Sequence, residues 1–275
     1  MSQSGQISPG DIRTFREQGI LKIDFAELIG TDAFDGLVAA LSDAEAKANA
    51  AAAGADAGNC QPEMFQRLFY LAPKYAEVDA VVRAPVLGEM AARLAGVDHV
   101  RSWIDETFFK PPGSVPCIWH QDLPHFPMDR RGLMTFWVAI DDITPEMGPV
   151  RYLPGSHKLG PLGRAMNSDS REPFEELIKT YRGLEDRPDE YLYDGAADEV
   201  GDITSFSLKA GEAVIHDGLT LHGSQTNRTD RTRRGWACVF FPSDTQYTGM
   251  PRLEADGLGL IPFREFDHPR FPIVA

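Results

Sequence analysis

Trp119-His120-Gln121-Asp122 sets an imidazole and a carboxylate two residues apart. On an extended segment, positions i and i+2 face the same side, so both side chains can reach one metal ion. The best third ligand is His222, in Leu221-His222-Gly223-Ser224. Two imidazoles and one carboxylate occupy one face of a metal and leave the opposite positions open, the arrangement of non-haem Fe(II) oxygenases. The His-x-Asp spacing alone does not separate a metal site from a surface loop, but three further residues point to the metal. Arg233, 11 residues after His222 and across the Asn227–Arg231 turn, carries a guanidinium fork that can hold a dicarboxylic co-substrate. Ser224 adds a hydroxyl two residues beyond His222, and Trp137 falls on a strand expected to neighbour the His-x-Asp segment in a barrel.

Other residues of the same types carry less. Adjacent residues on a strand face opposite ways, so His216-Asp217 is not a ligand pair, and His216 reads as a strand-end or pocket-wall residue. His125 can face a substrate or be packed, and His157 closes a Pro-Gly-Ser-His turn with a structural role. His99 and His268 have no supporting context. Trp103, Phe108, Phe109 and Phe126 are open to two readings, pocket wall or core.

The elements that must position these groups fall into two textures. Ser8-Pro9 reads as the cap and first position of a helix carrying Ile12, Phe15, Ile20 and Leu21. An Ala-rich surface helix over Ala33–Ala53 follows, with a flexible loop at its end. A further helical stretch, Val78 to Ala95, is interrupted by Pro85. After Gly96 come short segments rich in β-branched and aromatic residues: Val100–Lys110, Cys117–His120, Leu133–Ile140, Val150–Leu153, Ile203–Ser207, Ala213–Ile215, Gly235–Phe241 and Leu260–Phe263. Their spacing predicts an all-β barrel or sandwich. The polar stretch 160–201 reads as an insertion that can serve as a lid, and its acidic cluster 185–190 as a solvated loop.

Composition bounds the partners. The 275 residues hold 27 basic and 41 acidic side chains, a net charge of −14, so no basic stripe is available for nucleic acid or an anionic membrane. No apolar run is long enough to span a bilayer. Cys60, Cys117 and Cys238 are odd in number and widely spaced, and the N-terminus lacks a secretory pattern, so a cytoplasmic setting is expected.

Five blocks resemble the phytanoyl-CoA dioxygenase family, in that family's order. They are Phe109-Lys110-Pro111-Pro112-Gly113; His120 to Pro127; Trp137 to Pro149; Leu153-Pro154-Gly155-Ser156-His157; and His216-Asp217-Gly218 through His222-Gly223-Ser224 and Asn227-Arg228-Thr229 to Arg233. The resemblance covers Phe108 to Phe241 and implies a mainly β fold with flanking helices around a double-stranded β-helix (jelly-roll, cupin-like) core. It implies one oxygenase domain over 1–275: a largely helical part to about 99, the core over about 100–245, and a lid at 160–201. By the same resemblance His120, Asp122 and His222 hold Fe(II), Arg233 pairs with the distal carboxylate of 2-oxoglutarate, Ser224 assists, and Trp137 lines the pocket. Asp122 is an acid where related halogenases carry a small residue, which disfavours halogenation.

The activity so implied is an Fe(II)- and 2-oxoglutarate-dependent dioxygenase that uses O2 to oxidise a C–H bond of a small molecule, releasing succinate and CO2. Hydroxylation leads; desaturation, cyclisation, epimerisation and an acyl-CoA substrate stay open, and a non-oxidative metal enzyme or a non-enzymatic binding protein ranks below them. A CoA moiety wants basic side chains, for which Arg151, Lys158, Arg164 and Arg171 lie in the right part of the chain. The acidic balance leans instead to a neutral or cationic molecule, such as a secondary metabolite or amino-acid derivative.

Overall fold

A computed structural model describes residues 7–52, 64–161 and 203–275. Helix α1 (Pro9–Gln18) opens on a reciprocal cap, in which Ser8 Oγ accepts from the Asp11 amide at 3.1 Å and Asp11 accepts from the Ser8 amide at 2.9 Å. Gly19, in the left-handed region at φ 72°, stops it. Ile20 and Leu21, expected on this helix, instead open strand β1 (Ile20–Asp24), because the chain beyond the stop pairs with strand β7 (Glu212–Asp217). Helices α2 (Phe25–Ile29), α3 (Thr31–Ala52), α4 (Ala76–Val82) and α5 (Pro85–Ala95) follow. Pro85 splits the expected long helix in two and sits at the first position of α5. Helix α3 is no mere surface helix, since Phe34, Leu37 and Leu41 are buried in the core.

The remaining strands are β2 (Val100–Thr107), β3 (Cys117–His120), β4 (Met134–Ala139), β5 (Val150–Tyr152), β6 (Thr204–Ser205), β8 (His222–Ser224) and β9 (Gly235–Pro242). They form two antiparallel sheets, ordered β1-β7-β4-β9-β2 and β3-β8-β5-β6, as in a jelly roll. Strand β3 pairs with β8, so Trp137 on β4 belongs to the other sheet and is not on a strand beside the His-x-Asp segment. Leu260–Phe263 is a turn rather than a strand: Arg264 N–H donates back to Ile261 O at 3.2 Å, and Phe263 has φ 63°. The expected lid lies outside the described residues beyond 161, as do Cys60, Arg164, Arg171 and the cluster 185–190.

Strands β4, β7 and β9 form the middle of the five-stranded sheet, and alternation gives each two working faces. Met134, Phe136, Val138, Ala213, Ile215, Trp236, Cys238 and Phe240 face the helices in one core. Thr135, Trp137, His216 and Val239 face inward and line a cavity. With both faces covered, β4 and β9 are buried along their whole length, which explains their nearly continuous apolar sequence. On β2 the register slips between Ser102 and Ile104, leaving Trp103 out of the pairing. Trp103 stacks on Phe271 of the C-terminal segment, with centroids 4.7 Å apart and planes at 6°.

Gly235 is required by close approach. A Cβ there would lie 2.2 Å from Cζ2 of Trp137. Gly235→Ala is expected to push Trp137 aside and cost about 1–3 kcal/mol. Thermal unfolding would show it as a loss of roughly 2–4 °C per kcal/mol, with altered tryptophan fluorescence; an unchanged Tm would contradict the packing described.

Candidate metal centre and its cavity

His120 and His222 are directly opposite each other in the β3–β8 pair, and their ring centroids lie 4.2 Å apart. Each ring is fixed through Nδ1, His120 on the Ile118 carbonyl and His222 on the Thr220 carbonyl, both at 2.9 Å. A carbonyl only accepts, so Nδ1 carries the proton and, in the neutral rings, the Nε2 lone pairs point inward. Asp122 is not on extended backbone, as the two-residue spacing suggested. It has left β3 with right-handed helical angles (φ −75°, ψ −50°) and precedes a single 3-10 turn at Leu123–His125. That turn brings Asp122 Oδ1 to 3.8 Å from His120 Nε2 and 3.6 Å from His222 Nε2. One ligand atom from each of the three lies within 4.8 Å of the others, a spacing that one metal ion can bridge. Gln121 turns the other way and donates to the Leu219 and Gly160 carbonyls at 2.7 and 3.0 Å.

The second oxygen of Asp122 is occupied from the facing sheet. Thr135 Oγ1 on β4 donates to Oδ2 at 2.8 Å, and His216 Nε2 on β7 lies 3.1 Å from the same atom. A carboxylate accepts, so His216 holds its proton on Nε2 and is a wall residue that orients Asp122, in keeping with the pocket-wall reading. Neither Thr135 nor His216 was recognised as an Asp122 partner from sequence. The signal for Thr135 was its place two residues before Trp137, on the same face of one strand.

Electrostatics follow from this crowding. Burial opposes the charged form of Asp122, but the imidazoles of His222, His216 and His120 outweigh it and hold the carboxyl well below its ordinary range. Burial also opposes the imidazolium of His120, yet Cys117 and Asp122 beside it raise its pKa to about 9. His222 is held well below the usual imidazole value by burial and by His120.

Deeper in the cavity lies Arg233, 1% exposed and placed just before β9 by reciprocal backbone hydrogen bonds with Lys110. Its guanidinium donates through Nη1 to the Gly148 carbonyl and lies over the rings of Trp137 (5.0 Å) and Phe65 (5.7 Å). Among the described residues no carboxylate pairs with it, and its Nε is buried without a partner, as are Ser224 Oγ and Tyr152 Oη. Lys110 adds a second buried cation there; its Nζ donates to Val115 O at 2.8 Å, and burial and Arg233 lower its pKa to about 7. An unpaired buried guanidinium is costly and calls for an anion. Lys110 and Tyr152 carried no expected role, although a lysine inside the apolar Phe108–Pro112 run was a visible clue.

Of the remaining residues, His125, Phe108 and Phe126 line the cavity. Trp103 and Phe109 are core. His157 accepts the structural role expected of it, with Nε2 3.1 Å from Arg16 O. Arg151 is buried with its guanidinium 5.3 Å from the Trp119 ring, and Lys158 is exposed.

Comparison with known proteins gives a family and a fold. A sequence profile for the phytanoyl-CoA dioxygenase (PhyH) family matches residues 24–235. The chain is 26% identical over 158 residues to a probable alpha-ketoglutarate-dependent hypophosphite dioxygenase of Stutzerimonas stutzeri, covering 57% of this chain and 50% of that protein. It is 32% identical over 132 residues to the peroxisomal phytanoyl-CoA dioxygenase of Rattus norvegicus, covering 48% of this chain and 35% of that one. The chain thus spans half or less of the length of these curated relatives. Its fold matches the crystal structure of the non-heme alpha ketoglutarate dependent carbocyclase SnoK from nogalamycin biosynthesis, with a TM-score of 0.76, 22% identity and 99% of both chains covered.

The hydrogen bond from Thr135 gives a direct test of the centre. Thr135→Val is expected to weaken Co(II) or Fe(II) binding by about 10-fold or more, because partners that orient a ligand matter nearly as much as the ligand. Thr135→Ser should restore it. Titration followed by the Co(II) absorption spectrum reads both, and equal affinity in all three proteins would refute the assignment.

Proposed function

The chain belongs to the phytanoyl-CoA dioxygenase family, and on that premise we propose that it is an Fe(II)- and 2-oxoglutarate-dependent dioxygenase acting on a small molecule. The observation that carries this reading is the pairing, in one cavity, of the His120–Asp122–His222 cluster with a buried Arg233 that has no carboxylate partner among the described residues. A redox-neutral metal site of the same fold has no use for that cation. A dicarboxylic co-substrate does.

The residues present fit both groups. His120, Asp122 and His222 would hold the iron through two Nε2 atoms and Oδ1, a donor set with open positions opposite. When bound with 2-oxoglutarate, Fe(II) supplies the activation of O2 and the oxidation of an unactivated C–H bond, with release of succinate and CO2. Arg233 would take the distal carboxylate, with Ser224 and Tyr152 as nearby hydroxyl donors and Lys110 reinforcing the positive end. Trp137 supports the guanidinium by its ring face and keeps water from it. Thr135 and His216 keep Asp122 Oδ2 engaged, so that Oδ1 would be the oxygen left to hold the metal.

Hydroxylation is the proposed outcome; desaturation, cyclisation and epimerisation use the same residues. The chain would act as one unit, because helices and five-stranded sheet share a core. No described helix is long and apolar enough to cross a membrane. A cytoplasmic setting suits the free thiols of Cys117 and Cys238.

The test is succinate release from 2-oxoglutarate in the presence of Fe(II) and ascorbate, alongside direct binding of 2-oxoglutarate to the metal-loaded protein. Asp122→Ala should abolish turnover and metal binding. Arg233→Gln should raise the 2-oxoglutarate Kd about 30-fold or more, as expected for losing about 2 kcal/mol from a buried charge pair. Metal binding should survive the Arg233 change. A wild-type protein that binds neither iron nor 2-oxoglutarate would sink the proposal.

Metal binding should also depend on pH in a stated direction. With its pKa raised to about 9, His120 is protonated at pH 7 in the metal-free protein, while His222 is already neutral. Metal must displace that proton, so affinity should rise about tenfold per pH unit from 7 and level off near 9. Calorimetry in buffers of different ionisation enthalpy should find close to one proton released at pH 7. Pure carboxylate-type behaviour, with no change above pH 7, would contradict the His120 environment.

A further inference from the structure

The mouth of the cavity carries two charge pairs that the metal and the co-substrate do not use. Arg67 pairs with Glu106 of β2, and its guanidinium lies 4.8 Å from the Phe69 ring and 5.0 Å from the Phe108 ring. In the second pair, Arg252 Nε lies 2.9 Å from Glu254 Oε2, and the Arg252 guanidinium is 5.5 Å from the Phe126 ring. The turn carrying the second pair is held by Arg252 N–H on Asp256 Oδ1 at 3.0 Å and by Asp256 N–H on Arg252 O at 2.7 Å. All four charged side chains line the cavity.

Two features of these pairs restrict what they can bind. Among the described residues their formal charges balance, two guanidinium groups against two carboxylates, so the pairs themselves add no net cation for a polyphosphate and no net carboxylate for an amine. Yet their hydrogen-bonding capacity is not exhausted. Glu106 and Glu254 are 7% and 9% exposed. Glu106 gives only Oε2 to Arg67, and Glu254 Oε1 and the Arg252 Nη groups make no hydrogen bond among the described residues. Unused acceptors and donors therefore line the cavity together with the rings of Phe69, Phe108 and Phe126, each of which carries a guanidinium near it. A hydroxyl both donates and accepts, and satisfies such a rim without adding charge. Aromatic faces suit the C–H face of a saturated ring.

We propose that the mouth of this cavity binds an uncharged, polyhydroxylated ring, with Arg252, Glu254 and Glu106 bonding its hydroxyls and the phenylalanines covering its apolar face. This rests on the oxygenase reading, in that it places the molecule to be oxidised in the chamber over the metal centre. It names a substrate class, neutral and hydroxyl-rich, and sets aside acyl-CoA thioesters and amines.

Three probes matched in their aromatic part test it on the metal-loaded protein with 2-oxoglutarate, without O2: phenyl β-D-glucopyranoside (neutral), phenyl β-D-glucuronide (anionic) and 2-phenylethylamine (cationic). Calorimetry or tryptophan fluorescence should show the glucoside binding about tenfold tighter than either charged probe, the value of one to two hydrogen bonds. Glu254→Ala should weaken the glucoside about fivefold, the loss of one such bond. Glu254→Gln leaves Arg252 uncompensated and should shift preference toward the glucuronide, a gain that misfolding cannot produce. The proposal is overturned if the glucoside does not bind at millimolar concentration, if a charged probe binds as well, or if Glu254→Gln leaves the preference unmoved. Binding of 2-oxoglutarate, measured on the same samples, separates the two readings. Its absence defeats the oxygenase, whereas its presence without glucoside binding defeats only the substrate class.

Discussion

The carboxylate of Asp122 ties the two sheets together. Its Oδ2 is held by Thr135 and His216 from the five-stranded sheet, and its Oδ1 faces His120 and His222 from the four-stranded one. Burying a carboxylate costs several kcal/mol unless charge-assisted hydrogen bonds compensate it. Those bonds exist only when the sheets pack at one separation and in one register. The two polar residues on the inner faces of β4 and β7 are thus a condition for the His120–Asp122–His222 cluster, which the opposite sheet completes. The helices serve the same end from behind, since they cover the outer face of the sheet that holds Asp122 in place.

Charge is graded along the cavity. The closed end is cationic, with Arg233 and Lys110 buried side by side and neither offset by a described carboxylate. Burial lowers the pKa of both, and the Arg233 charge lowers that of Lys110 further. The middle holds one carboxylate among three imidazoles. Among the described residues, Arg67 and Arg252 are each paired with a glutamate. An anion is therefore favoured beside Arg233 and Lys110 rather than beside the two paired arginines. One chamber can in this way keep two different molecules in their proper places.

The parts legible in the sequence are those whose pattern is imposed by two-sided burial. Strands β4 and β9 were found because helices and cavity cover both faces, which demands continuous apolar and β-branched residues, whereas β2 is as fully buried but carries Arg101, Ser102, Asp105 and Glu106 among its apolar residues. The residues proposed as metal ligands and Arg233 stand out because their residue types are chemically restrictive and sit in the blocks that resemble the family. Strand β8 escaped notice: His222-Gly223-Ser224 is three residues long and has no apolar pattern. Its Gly223 packs against β3, where a Cβ would meet Cys117 O at 2.8 Å. The geometry of Asp122 was misjudged for a related reason. An i, i+2 spacing assumes a strand, but the chain turns at Asp122 to let Leu123 N–H reach Gly218 O at 2.8 Å.

The least legible region, after β9, builds the mouth of the cavity. Arg252 and Glu254 sit on a turn with no periodic pattern, and Phe266 and Phe271 fill the space opened by the bulge at Trp103. Loops on a rigid scaffold can change without disturbing the sheets, which suits them to choosing a substrate. The reaction, by contrast, depends on groups that cross from sheet to sheet and cannot vary singly. Sequence pattern is strong where the structure is over-determined and weak where it is free. That is why the residues read as metal ligands stand out in the sequence, while those assigned to recognise the oxidised molecule emerge only from the placement of two ion pairs at the rim.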